Sequence, residues 1–264
     1  MKREGISVSN KRVNKRGQVT VFIIIAILIV ALALAIYFLR PGIQSTTGFD
    51  EENPKSFIQT CIEDEIENAV NLVSIQGGSI VPEHYFIYND VKIEYLCYTN
   101  ENLKLCSVQQ PLLKQHIESE IENDISDEVS SCFGKLVASY ESEGYDTNLE
   151  TGTNPVKVEL LPKRIVATFN YTLTATKNDA KRYDFFDMIL NNNLYELTSI
   201  AKSIVEWETE IGDADPALYM TYYSDLKVQK NLRDDGTKIY TITDRNTDNK
   251  FQFASRSLVW PAGF

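Results

Sequence analysis

Histidine, cysteine and cationic side chains are scarce in this chain, and each scarcity removes a class of function. Only two histidines occur in 264 residues, His84 and His116, and neither sits in a recognisable nucleophile motif. There is no G-x-S-x-G, H-E-x-x-H or phosphate-binding glycine loop, so nothing pairs a nucleophile with a base and no enzymatic activity is expected. The four cysteines, Cys61, Cys97, Cys106 and Cys132, include no C-x-x-C and have no companion histidines, which leaves a zinc site without its ligands. With 26 basic against 37 acidic residues the net charge is −11. An acidic surface repels phosphate backbones, and nucleic acid is excluded as a partner. The acidic stretch Glu208, Glu210, Asp213, Asp215 lacks the glycine spacing of a calcium loop and reads as a solvated charge run. No metal or cofactor is expected, and no internal repeat is present.

What the chain does have is a sharp division of charge around one apolar run. Residues 1–16 carry six Lys or Arg and one Glu, whereas the remainder carries 20 basic and 36 acidic residues, net −16. Between them lies Gln18 to Leu39, QVTVFIIIAILIVALALAIYFL. A run of about 20 apolar residues matches a hydrocarbon core of about 30 Å. It exceeds the roughly 7–15 residues of a secretory signal and ends without an A-x-A site, so a retained anchor in the lipid bilayer is expected. Flanking Lys and Arg place the N-terminus in the cytoplasm and the rest outside the cell membrane. The expected organisation is a basic cytoplasmic tail over 1–17, a transmembrane helix over 18–39 closed by Arg40-Pro41-Gly42, a spacer over 40–52, and an extracellular domain over 53–264 with a sub-boundary near 141–154.

Periodicity in the domain predicts α+β architecture, an antiparallel sheet packed by amphipathic helices. Asn53-Pro54 opens a helix to about Ile75, with Ile58, Ile62, Ile66, Val70 and Val73 on one face and Gly77-Gly78 as its stop. Strands are expected at 85–88, 91–98 and 103–108, then a helix from Gln110-Pro111 to about Tyr140. Its stripe of Leu113, Ile117, Ile121, Ile125, Val129 and Phe133 steps by fours, which drifts around a helix and favours core packing over a coiled-coil seam. Residues 141–154 read as a polar loop. A hairpin follows over Val156 to Leu173, a short strand at 182–186, a helix over 194–211, and three strands at 226–232, 238–243 and 251–257.

Even cysteine number on the outer side of a membrane reads as two disulfides. Turn chemistry at Glu101-Asn102 supports Cys97 to Cys106, facing across a hairpin. Cys61 and Cys132 remain, one on each long helix, although four cysteines allow three pairings. Asn170-Tyr171-Thr172 is a glycosylation acceptor by pattern, with Asn170 on an outward strand face. Aromatics in Tyr219-Met220-Thr221-Tyr222-Tyr223 and Trp260 supply either a contact patch or core.

Lys15-Arg16-Gly17-Gln18, followed at once by the apolar run, resembles the class III signal of archaeal type IV pilins and archaellins. The resemblance covers about 20 residues and departs at Phe22, where many pilins carry Glu, and at Pro41, where a pilin helix often continues. It implies a prepilin-type peptidase as partner, cutting between Gly17 and Gln18, and assembly with other membrane or surface proteins. The wider pattern is similar to single-pass surface proteins of archaea. The functional expectation is a membrane-anchored cell-surface structural or interaction protein, pilin-like and processed after Gly17. The alternative is an anchored extracellular binding module with no filament role.

Overall fold

Asn53 and Pro54 start the first helix as their chemistry dictates. The Asn53 carboxamide accepts the Ser56 amide at 3.3 Å, and proline sits in the first turn, where its missing N–H costs nothing. The computed structural model describes residues 50–260, all within one compact unit. The helix, α1, spans Pro54–Ile75 and buries Ile58, Ile62, Ile66, Val70 and Val73. It stops at Gly77 and Gly78, with φ of +84° and +105°. Only glycine fits at 77, where a Cβ would lie 3.0 Å from the Glu94 backbone.

Helix α2, Leu113–Ser142, packs along α1. Its every-fourth stripe is core, as expected: Ile117, Ile121, Ile125, Val129 and Phe133 are fully buried, each contributing about 2 kcal/mol or more over exposure. The helix begins at Leu113, with Leu112 as its N-cap, slightly later than Gln110-Pro111 suggests. Cys61 and Cys132 join α1 to α2 in a disulfide with Cα atoms 6.0 Å apart.

Two sheets complete the fold. The first runs β1 (Tyr85–Tyr88), β2 (Val91–Tyr98), β10 (Lys250–Arg256), β9 (Lys238–Asp244), β8 (Leu226–Leu232), with β3 (Ser107–Val108) also on β2. β10 lies parallel to β2, with Ala254 opposite Tyr95 and a register shift at Ala254/Ser255. The expected antiparallel pairing holds for the other strands, and this one parallel pair makes the sheet mixed. Both faces of β2 are covered: Ile93 and Tyr95 pack with Ile239 and Ala254 on one side, while Leu96 joins the main core on the other. The second sheet is built on β5 (Arg164–Thr176), with β4 (Asp146–Leu161) on one edge. β6 (Ala180–Tyr183) and β7 (Phe186–Leu190) share the opposite edge end to end. Helices α3 (Leu194–Glu210) and α4 (Pro216–Tyr222) lead into β8.

Three local expectations change. The 141–154 loop is largely strand, because Asp146 to Thr151 pair with Tyr171 to Thr176 and leave their polar side chains in solvent. The 103–108 strand shrinks to Ser107–Val108, so Cys97 stands opposite Val108 instead of Cys106. The Cys97–Cys106 bridge forms nonetheless, with Cα atoms 5.4 Å apart. Residues 99–106 loop outward and are tied to the chain's end by Leu103 N–H to Val259 O at 2.9 Å and Arg256 Nη1 to Thr99 O at 2.6 Å.

The membrane-spanning element of the expected fold is corrected as well. Among the described residues no helix is long and apolar enough to cross a membrane, so the fold described for 50–260 is α+β without the expected transmembrane element. The 18–39 stretch, the 1–17 tail and the Gly17-Gln18 junction lie outside the described residues.

Candidate functional site

The start of α3 is the first wall of the site. Asn193 occupies the N-cap position but makes no side-chain capping bond; the preceding Asn192 carboxamide accepts the Leu194 amide at 2.8 Å instead. Asn193 is thereby released to reach across to the β9–β10 connection. Its Nδ2 donates to Asp244 Oδ2 at 2.6 Å, and its Oδ1 accepts Asn249 Nδ2 at 2.9 Å. The connection is itself held tightly: Asn246 N–H donates to Asp244 Oδ1 at 2.7 Å, and Arg245 N–H to Asp225 O at 2.8 Å.

Another part of the lining comes from the end of α4 and the residues after it. Asp215 caps this helix by accepting the Ala217 amide at 2.9 Å, and Tyr219 anchors it, buried, with its hydroxyl 3.0 Å from Ser203 Oγ. At the far end Tyr222 and Tyr223 are 76% and 52% exposed. The cleft so lined has a volume of about 750 Å³, and Asn191, Tyr195, Ser199, Asp225 and Asn246 also contribute to it. That volume falls within the roughly 300–1,000 Å³ of small-ligand sites. The aromatic segment 219–223 thus divides: Tyr219 is core, and Tyr222 and Tyr223 are surface. Trp260 is exposed beside a separate cavity of about 470 Å³.

Two members of the acidic stretch, Glu208 and Asp213, meet at Lys238, so it is not simply a solvated run. Glu208 is 0% exposed and accepts from Lys238 Nζ at 2.9 Å, Tyr240 Oη at 2.5 Å and Ser255 Oγ at 3.0 Å. Burial first, then the Glu208 charge, pushes the Tyr240 phenol far above its ordinary 10.0. Burial would raise Asp213, but Lys230 at 2.8 Å and Lys238 at 3.3 Å outweigh it and hold the carboxyl below its ordinary range. Among the described residues the one His, Cys, Asp or Glu group close enough to grip a metal is Cys61, Glu128 and Cys132, and both sulfurs are spent in the disulfide.

A second constellation escaped the sequence. Ser79 Oγ lies 2.8 Å from His116 Nε2 and donates to Glu94 Oε2. Ser79 is only 4% exposed. Burial chiefly raises the Glu94 carboxyl, with Ser79 and His116 opposing the shift. His84 packs its ring against Tyr95 and Tyr98, with centroids 4.9 and 4.2 Å away.

Asn170 is exposed on β5, and its Nδ2 donates to Thr153 O at 3.0 Å over Gly152, whose Cβ position it would occupy at 2.2 Å. The nitrogen that a glycan would be attached to is thus already bonded. No protein-family model matches the chain, and comparison with curated proteins and with solved structures found no match.

Proposed function

We propose that the domain is an extracytoplasmic interaction module that binds a small polar ligand in the cleft between α3, α4 and the β9–β10 connection. The observation that carries this reading is a cleft of about 750 Å³ whose lining combines the fixed Asn193–Asp244–Asn249 network with two exposed tyrosines. A tied polar wall costs no ordering when a ligand arrives. All four cysteines are bridged, which supports an oxidising compartment. The test is thermal stabilisation by neutral sugars, short peptides and calcium, repeated with Ser199→Arg, which fills the cleft from the exposed face of α3. Stabilisation that this variant abolishes supports the reading. Stabilisation retained in full by the variant, or none from any probe, overturns it.

Lys15-Arg16-Gly17-Gln18 favours a second reading, a structural role at the cell surface in which a prepilin-type peptidase cuts after Gly17. The intact mass of the natively expressed protein decides: loss of residues 1–17 supports processing, and their retention sinks it.

A further inference from the structure

We infer that the ligand of the cleft is an uncharged oligosaccharide; the inference rests on the binding role proposed above. Four kinds of ligand compete, and the lining chemistry separates them. Glu196, Asp225 and Asp244 face the cleft against Lys163 alone, so anions meet net repulsion. Divalent cations need several converging oxygens, and no metal-sized carboxylate group lies here among the described residues. The oxygens of Asp244 are moreover already engaged by Asn193 and Asn246.

A wholly apolar ligand fails for the opposite reason. Among the described residues, the side chains of Asn191, Asn246, Tyr222 and Tyr223 make no hydrogen bond, although all four line the cleft. Covering them with hydrocarbon would cost about 1–3 kcal/mol for each group left unpaired. A sugar satisfies both demands. Its C–H face lies on a tyrosine ring, an apolar body with a polar tip. Neighbouring hydroxyls donate to a carboxamide oxygen and accept from the nitrogen of the same or an adjacent amide, a pairing that a single asparagine provides. Asn193 and Asn249 are locked into each other, so the free amides of Asn191 and Asn246 stand on a rigid base.

Maltotriose, chitotriose and α-1,2-mannotriose, with trigalacturonate as an anionic control and trialanine as a peptide control, are titrated into the full chain and followed by saturation-transfer NMR. Sugars are taken to about 20 mM, well above a millimolar Kd. Binding by at least one neutral trisaccharide and none by trigalacturonate is expected. Tyr222→Ala with Tyr223→Ala should weaken it by about tenfold or more, and Asn246→Ala should weaken it without changing the melting curve. Both tyrosines are exposed, so the variants test recognition and not folding; Ser199→Arg, which should abolish the signal, serves as an independent block. If trialanine binds and Ser199→Arg removes that signal while the sugars stay silent, the glycan assignment falls and the cleft reading stands. If every probe is silent, or sugar binding survives Ser199→Arg, both fall.

Discussion

Lys238 Nζ stands 2.9 Å from Glu208 Oε2 at a site where the carboxylate has no exposure at all. The pair joins the last turn of α3 to the first residue of β9. Tyr240, Ser255 and the Gly212 carbonyl complete its hydrogen bonding, so the charges are paired and their remaining valences met. The cost of such a pair appears when one member is removed.

Lys238→Met should destabilise the domain by about 3–5 kcal/mol, because it strands a buried carboxylate. Glu208→Gln combined with Lys238→Met should recover part of that loss, since the amide removes the stranded charge and keeps an acceptor for Tyr240 and Ser255. Urea unfolding of the three proteins measures both. A double variant no more stable than Lys238→Met would show that packing, not charge, governs the site.

The two disulfides should differ in worth. Cys61–Cys132 closes a separation of 71 residues and Cys97–Cys106 one of 9, which in the chain-entropy model contribute roughly 4 and 2.5 kcal/mol. Paired Cys→Ser variants compared by denaturant midpoint should therefore rank Cys61→Ser/Cys132→Ser as the more damaging. Equal losses would refute the loop-length account here.

Removing the Asn193 side chain should loosen the α3 start. Asn193→Ala leaves Asp244 Oδ2 and Asn249 Nδ2 without the partners they now have, at about 1–2 kcal/mol, and amide exchange at 244–249 should quicken. Unchanged exchange there would mean that the backbone bonds alone hold the connection.

Glu94 and Asp213 change stability with pH in opposite senses. A carboxyl raised above its ordinary 4.5 favours the fold fully below that value, and the benefit is lost as pH rises through the raised one. Glu94→Gln should therefore melt at a higher temperature than the natural chain near neutrality, and the gap should close toward about pH 4. Asp213 is lowered, so its contribution is present above about pH 4 and fades as pH falls further. Asp213→Asn should flatten that acid limb. A gap for Glu94→Gln that widens on acidification would overturn the assignment.

The amino-acid sequence by itself determined the elements whose signal is local. The stripe from Ile117 to Phe133, the Asn53-Pro54 cap and the turns of the last three strands are written in neighbouring residues, and they formed within a few positions of where periodicity puts them. Helix faces were legible enough to pair Cys61 with Cys132.

Tertiary structure decided what depends on distant segments meeting. The parallel seating of β10 on β2 joins residues more than 150 positions apart, and no local pattern distinguishes it from an antiparallel match. Polar Asp146 to Thr151 became strand because β5 offered an edge, not because their own propensity asked for it. Glu208 looked like a surface charge until Lys238 arrived from another element. The cleft is assembled in the same way, from asparagines that read as ordinary turn residues until α3, α4 and the β9–β10 connection bring their amides together.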